Sequence, residues 1–598
     1  MNHLISDLAI AFRGMNISNP LFHAIKFIEK DEIEVKAHTN LLGMVDEFKK
    51  TFNDEIFGDD FEALIADSRY CFISNNFGSL LKNGNGLNFE KTKQNLTKSD
   101  KVDKILTNKW AGIPIFLCIL FIVFHLVFSE DLFFLKGLFS GVTPSFAETP
   151  YEGLIWSESG LASPGVFLQS LVTCTTDLLS EYTYTALSNI GTPNWLIGFV
   201  VNGCLGGLFS VMSFIPQILL LFLFFAILED SGYMARVAFI LDRIFRKFGL
   251  SGRAFMPMIM GFGCSVPAMI NTRTLVSEAE KDSTIKVIPF FSCGAKLPIL
   301  VAISGGIVEY FHFANADLIT YSMYLLGITS AIIAIILMRH TTKRGKVSPF
   351  IMELPTYRLP QFKSLMIHLW DKLKHFIKKA FTIILASTIV IWFLSSFRWN
   401  WSTCSELYNL EGEFLCYNMS ESILHSLGQF IQPLFTPLGF GYQLGEFGWV
   451  FAVAAITGLI AKENVIATFG VLAASLIASG TLGGNSAEIL NDGDGILATI
   501  SMIQATGITV PGLLAFIAFN MTTIPCFAAV ATAKAETKNG KFKWTLLFWV
   551  VASILISSII YLVGTWWWTL FIILALTVVI VIGIIIFNKV KPFKGELI

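Results

Sequence analysis

The sequence predicts an all-α polytopic membrane protein of about ten transmembrane helices, a small helical cytoplasmic domain preceding them. In each of two halves it predicts broken or re-entrant, gate-like segments. Three observations predict this. Apolar runs of near-spanning length follow one another from Ile113 to Phe587. Only 15% of the 598 residues are charged, well under the quarter or so usual for a soluble domain. Basic and acidic connections alternate between successive runs, as a chain that repeatedly crosses a bilayer requires.

Composition also excludes classes. A net charge of −1 supplies no basic field for nucleic acid. The nine cysteines are scattered singly, with neither a CxxC pair nor zinc-ligand spacing. In apolar runs a cysteine reads first as a small buried hydrophobe. Met1–Ile17 lacks a basic start, a clean apolar block and a small-residue cleavage site, so no signal peptide is expected.

Residues 1–107 are read as a cytoplasmic helical domain and linker. Phe61, Leu64, Ile65, Phe72 and Ile73 recur at helical spacing within Asp59–Leu80, which predicts an amphipathic helix. Lys82–Lys104 is rich in Asn, Lys and Gly and reads as a linker. A first membrane half follows over 108–345, a basic amphipathic segment over 346–379, and a second membrane half over 380–598. A spanning helix takes about 20 apolar residues. The candidates are Ile113–Phe128, Leu208–Leu228, Val287–Tyr310, Leu318–Met338 and Ala380–Phe397. Phe447–Ala461, Asn464–Ser479, Pro511–Ala531, Trp544–Val563 and Trp566–Phe587 complete them.

Loop charge orients the set. Residues 129–194 carry one basic side chain against seven acidic ones, 398–446 one against five, and 480–510 none against three. Residues 339–379 carry ten basic against two acidic. Both termini are therefore expected in the cytoplasm, in a multi-pass arrangement. His368–Lys379 interleaves basic residues with Leu369, Trp370, Leu373, Phe376 and Ile377. It reads equally as a helix on the anionic inner leaflet or as an extension of the next span. Cys404 and Cys416 share one outward loop and are a candidate disulfide pair.

Several segments break membrane rules. Met256–Ile270 is apolar but short, holds Pro257, Gly261, Gly263 and Pro267, and has basic flanks on both sides. A re-entrant or broken helix satisfies those flanks better than a crossing. Backbone freed from helical bonding survives at membrane depth only beside protein or water, and such interruptions point to a transport site. Pro289, Cys293, Gly294, Lys296 and Pro298 interrupt the next run. The second half echoes this with Lys462–Glu463 inside Phe447–Ser479, and with Ile524, Pro525 and Cys526 inside Pro511–Ala531. An internal repeat is suggested, inverted or parallel.

Cys264, Cys293 and Cys526 sit in these interrupted segments. Thiolates favour late first-row divalent ions over magnesium or calcium, and a conduction path needs weak, open ligation. Against this stands simple packing of small residues. Glu463 is a candidate because intramembrane charge is costly, or else marks a cytoplasmic turn with Lys462. Glu229 and Asp230 read as interfacial, and Met256, Met258 and Met260 as filler.

Ordered blocks of the chain resemble the bacterial ferrous iron transport protein B (FeoB) family. They are Glu229–Phe239 (EDSGYMARVAF), Gly261–Ala268 (GFGCSVPA), Thr272–Leu275 (TRTL) and Pro289–Pro298 (PFFSCGAKLP, with Lys296 where the family leads one to expect Arg). Ala461–Glu463 (AKE) and Pro525–Cys526 follow, with Ile65–Tyr70 (IADSRY) and Leu106–Pro114 (LTNKWAGIP) upstream. The resemblance runs from about residue 20 to the C-terminus. It implies Fe2+ as transported substrate, paired gate-like repeats, and Cys264, Cys293 and Cys526 lining the path, with Glu463 as a further metal candidate.

The family resemblance also implies GTP and Mg2+ acting through a G domain. No G-x-x-x-x-G-K-[ST] loop occurs here, so GTP is expected to act only through a separate or missing domain, in trans. The chain is expected to be a transporter and not an enzyme. Expected partners are membrane lipid and small cytoplasmic Feo-type proteins, with a homo-oligomer also compatible. The alternatives are a secondary transporter of another divalent metal or of an organic solute such as a nucleoside, and a receptor or scaffold for a G protein.

Overall fold

The computed structural model describes residues 2–45, 98–133, 151–341, 357–478 and 495–590 apart from short gaps, with scattered positions between. Two compact units form, one built on Met1–Val102 and the other on Asp103–Lys346 with Leu354–Pro592.

In the first unit, α1 (Asn2–Gly14) buries Leu4, Leu8 and Phe12, one per helical turn. They meet Ala24, Phe27 and Ile28 of α2 (Pro20–Ile28), with Leu41 and Val45 closing the core. Asp31 caps α3 (Glu32–Ala37) by accepting from the Ile33 N–H at 3.1 Å. Of the helix expected over Asp59–Leu80, Ile65, Ser68–Ile73 and Asn76 are described and helical; the rest, Phe61 and Leu64 included, lies outside the described residues. Ile65 packs on the core, whereas Phe72 and Ile73, expected on the apolar face, are exposed.

The end of the expected linker is itself a helix, α4 (Lys98–Leu106), leading to α5 (Gly112–Phe128). A larger difference lies in the outward loop expected over 129–194. There α6 (Pro164–Asn189) forms a 26-residue helix. Ser163 caps it by accepting from the Val166 N–H at 3.3 Å, and Pro164 opens it. Its Thr-rich sequence hides it from a hydropathy reading. The hydroxyls of Thr175, Thr176, Thr183 and Thr185 each donate to a carbonyl three or four residues back. With those hydroxyls satisfied, α6 packs on α5 and on α7 (Gly206–Asp230). Gly165 allows the close approach, because a Cβ there would overlap the Val127 carbonyl.

Gly232, at φ 79°, turns the chain from α7 into α8 (Tyr233–Phe248). Then come α9 (Phe255–Gly263), α10 (Ser265–Asn271), α11 (Glu278–Val287), α12 (Leu297–Phe311) and α13 (Ala316–Thr341). The basic segment and the next expected span are one 35-residue helix, α14 (Phe362–Ser396). Leu365, Leu369 and Leu373 are buried at i, i+4 spacing, and the helix continues without a break into the next expected span. Beyond it β3 (Leu407–Leu410) pairs with β4 (Glu413–Cys416), following the short β1 (Trp156–Ser157) and β2 (Gly160–Leu161). Cys404 lies outside the described residues, and the disulfide expectation with it.

The second half holds α15 (Ile423–Ile431), α16 (Trp449–Ile460), α17 (Asn464–Ala478), α18 (Ile496–Thr506), α19 (Val510–Thr522) and α20 (Phe527–Glu536). α21 (Phe542–Thr565) and α22 (Thr569–Val590) end the chain. α16 is buried all round, with Val450–Ala455 each at most 1% exposed. At 12 and 15 residues, α16 and α17 are about 18 and 22 Å long, short of a bilayer core of about 30 Å.

Among the described residues, four helical segments are long and apolar enough to cross a membrane: Asn194–Asp230, Glu278–Phe311, Ala316–Thr341 and Phe542–Thr565. The bent pair Val510–Thr522 and Phe527–Glu536 makes a fifth. The other five expected crossings are shorter apolar stretches, and α18 adds one within the expected acidic loop 480–510. Length and apolarity make this a multi-pass membrane protein.

Candidate functional site

Four interruptions define the interior. The first falls at Cys264, whose extended backbone (φ −154°, ψ 129°) separates α9 from α10. Pro267 explains it: a continuous helix would need an N–H at this position for the Gly263 carbonyl, and proline has none. Gly263 lets α9 lie against Leu221, which a Cβ would overlap. The second runs over Ile288–Lys296, two 3-10 turns joined by extended Phe291 and Cys293, before Pro298 helps to open α12. The third lies between α19 and α20, which meet at 41°. Pro525 drives the preceding residue out of helical geometry, Thr523 is extended (ψ 179°), and Cys526 starts α20. The fourth is the turn at Lys462 between α16 and α17.

Tertiary packing brings these together. Ala528, Ala529 and Ala533 of α20 share one apolar core with Val266, Ala268 and Met269 of α10, and Cys264 and Cys526 both pack against that core. Lys296, 2% exposed, donates from Nζ to the Pro289 carbonyl at 2.8 Å and to the Met521 carbonyl at 2.5 Å. One ammonium thus ties the second break to the end of α19. Ser292 Oγ donates to Met521 Sδ at 3.4 Å beside it. Gly458 of α16 faces Asn520 of α19, where an added Cβ would come within 3.0 Å of Oδ1. Lys462, four residues beyond Gly458, is 2% exposed and its Nζ has no hydrogen-bond partner among the described residues.

Cys264 and Cys526 thus border one apolar core, and the Cys293 carbonyl accepts from the Lys296 N–H at 3.0 Å. All three are half-buried. No group of three or more His, Cys, Asp or Glu stands at metal-holding distance among the described residues. Glu463 lies outside the described residues. Glu229 and Asp230 are exposed, as an interfacial position requires. Met258 and Met260 are core residues, and Met260 Sδ accepts from Asn271 Nδ2 at 3.1 Å.

Sequence reasoning named Lys296 only as an interruption and not as a tie between the halves, although a lysine in an otherwise apolar run is a visible signal. Asn520 carried none. Two further ion-pair sites were also missed. Arg236, with a side chain 1% exposed, clasps Asp103 through Nε–Oδ1 at 2.9 Å and Nη2–Oδ2 at 3.2 Å. Its Nη1 donates to the Gly232 carbonyl at 2.9 Å, and the Tyr357 ring lies 4.0 Å from the guanidinium. Burial pushes the Asp103 carboxyl up, but the Arg236 guanidinium and the neighbouring Tyr357 hydroxyl together outweigh it and hold it below the ordinary carboxylate range. Glu536, at the end of α20, accepts from Arg273 Nε at 2.8 Å and from Lys281 Nζ at 3.2 Å, joining the halves at a second place. The Glu536 hydrogen bond holds the Arg273 guanidinium above its ordinary value.

Three family models match the chain. The FeoB cytosolic helical domain matches residues 4–79, the ferrous iron transport protein B C terminus matches 320–372, and the gate model, described as nucleoside recognition, matches 211–307 and 377–539. The chain is 34% identical over 461 residues to the Fe(2+) transporter FeoB of Campylobacter jejuni, covering 77% of this chain and 64% of that one. It is 32% identical over 469 residues to the FeoB of Staphylococcus aureus strain COL, covering 78% and 59%. With a Porphyromonas gingivalis protein named as a fusion of Fe(2+) transport protein A and FeoB, it shares 31% identity over 534 residues, 84% of this chain and 55% of that one. The chain thus spans 55–64% of the length of these relatives. No solved structure matches. The ordered matches from the helical domain through both gate regions show that this chain belongs to the FeoB family.

Proposed function

We propose that this chain carries Fe2+ across the cytoplasmic membrane along a path that passes Cys264, Cys293 and Cys526, with Glu463 as a further ligand. One observation carries the reading: broken segments from both halves meet through Lys296 and Met521, where the Lys296 N–H donates to the Cys293 carbonyl at 3.0 Å and Cys526 follows Met521 across the third break. Soft sulfur donors in an open arrangement suit transient ligation of a late first-row ion. The two membrane halves, 108–345 and 380–598, act as paired gates, the helical domain and both termini lie in the cytoplasm, and the cytoplasmic membrane is the inner one. GTP and Mg2+ act through a G domain supplied in trans or elsewhere in the polypeptide. The Porphyromonas fusion supports a small Feo-type partner at the cytoplasmic face.

Uptake of labelled Fe2+ by proteoliposomes tests this, with the G domain supplied. Cys264→Ser, Cys293→Ser and Cys526→Ser should each lower the initial rate tenfold or more with the fold retained. Full transport by the triple variant sinks the path. The gate model's description favours one second reading, a nucleoside carrier. Competition of uptake by nucleosides, with none by Mn2+ or Zn2+, would favour it.

A further inference from the structure

The two halves also meet around a charged recess. It encloses about 220 Å3 with its open mouth and lies between α11 and the connection from α20 to α21. From α11, Glu278, Lys281 and Asp282 line one side of it. Thr537, Lys538 and Lys541 line the other, next to Glu536. Gly540, at φ 89°, makes the turn that brings Lys541 back beside Lys538.

The charges here do not balance. Every carboxylate is already engaged: Glu536 by Arg273 at 2.8 Å and Lys281 at 3.2 Å, Asp282 by Lys286 at 3.3 Å, and Glu278 by Lys538 at 3.8 Å. Lys541 makes no ion pair among the described residues. Five basic groups thus surround three acidic ones, an excess of two positive charges. Thr537 adds a buried Oγ1 with no hydrogen-bond partner among the described residues. Buried polar atoms are nearly always matched, and a phosphate supplies both the missing negative charge and several acceptors.

The surface leading away from the recess favours a phosphate that carries an acyl chain. Lys541 opens α21, and Trp544, Val551, Leu555 and Ile559 follow on the same face, each 41–68% exposed. At 24 residues α21 is about 36 Å long, enough to cross a bilayer core. A tryptophan beside lysines at the end of such a helix stands at headgroup level. A polar head at the recess and a hydrocarbon chain along this stripe match the two surfaces in order.

We propose that the recess is a headgroup site for an anionic phospholipid. Lys538 and Lys541 bind its phosphate, the Thr537 hydroxyl donates to it, and its acyl chain follows the exposed stripe of α21. The occupant bridges α11 of the first half and α20–α21 of the second, reinforcing the tie that Glu536 makes. This rests on the membrane reading of the chain and is independent of the cysteine path.

The test titrates the full chain in detergent with phosphatidylglycerol and counts bound lipid by native mass spectrometry. Lys538→Gln with Lys541→Gln should weaken the tightest binding about tenfold. Lys538→Arg with Lys541→Arg, which keeps both charges, should stay within about threefold of the parent. Lys543→Gln, at an exposed lysine outside the recess, should stay within about twofold. A double Gln variant that binds like the parent, or a Lys543→Gln variant that loses as much, overturns the site. Equally tight binding of phosphatidylcholine overturns the charge argument. Displacement of the lipid by inorganic phosphate at a similar concentration assigns the recess to the free anion and overturns the lipid. No Fe2+ enters the assay, so each of these results leaves the iron path to its own uptake test.

Discussion

The Asp103–Arg236 pair offers the sharpest test of how the incoming helix α4 is fixed to the membrane unit. Arg236 is 1% exposed and makes two hydrogen bonds to Asp103 and one to the Gly232 carbonyl. Removing one partner of a buried pair costs about 3–5 kcal/mol, because the other charge is stranded. Asp103 keeps 18% exposure, so water partly compensates and Asp103→Asn should cost about 3 kcal/mol. Arg236→Met should cost a similar amount, since it also leaves the Gly232 carbonyl unpaired. The double variant should cost far less than the sum, with a coupling of about 2 kcal/mol.

Chemical unfolding of the detergent-solubilised chain, followed by tryptophan fluorescence, measures all four corners of the cycle. The pH dependence has a definite sign. Asp103 is held below its ordinary value in the folded chain, so its contribution is complete above the unfolded pKa of about 3.9. That contribution is lost as pH falls through the depressed value. The difference between parent and Asp103→Asn should therefore be flat from about pH 5 to 8 and shrink only at stronger acidity. A coupling under about 0.5 kcal/mol, or a difference that already changes near neutrality, refutes the reasoning.

Other consequences follow from the same geometry. Glu536→Gln leaves one neutral amide between Arg273 and Lys281 and should destabilise the chain by about 1–3 kcal/mol in the same unfolding assay; an unchanged midpoint counts against this tie between halves. Gly327→Ala places a Cβ onto the Phe290 carbonyl, so it should shift the Ile288–Lys296 break and cut Fe2+ uptake without changing membrane insertion. Lys296→Met strands the Pro289 and Met521 carbonyls and should cost about 1–3 kcal/mol for each. Lys296→Arg, which keeps donors for both, should recover much of that loss.

Much of this was legible in the sequence because proline and glycine act locally. Pro267, Pro289, Pro298 and Pro525 dictated interruptions, and each one stands beside a break. Helix α6 was illegible for an equally local reason: its threonines lower hydropathy, yet each hydroxyl that bonds back to its own helix ceases to demand water. Exposed Phe72 and Ile73 show the reverse failure, where apolar spacing alone overstated burial. The turn at Lys462 could be read from its charge, but nothing near it in sequence said that Gly458, on the helix before it, would face Asn520.

The sequence by itself determined that the chain belongs in a membrane, where its helices break, and that cysteines lie in the breaks. These are properties of single segments, set by transfer free energy and backbone sterics. Only the tertiary structure decided which breaks meet. Met521 is 225 residues from Lys296, and Glu536 is 263 from Arg273, so no local pattern encodes either contact. The interior admits a buried charge only where distant partners arrive to satisfy it, and packing alone chooses those partners. The many-helix membrane chain predicted at the outset thereby acquires a specific junction: buried Lys296, tied to the Pro289 and Met521 carbonyls where broken segments of both halves meet.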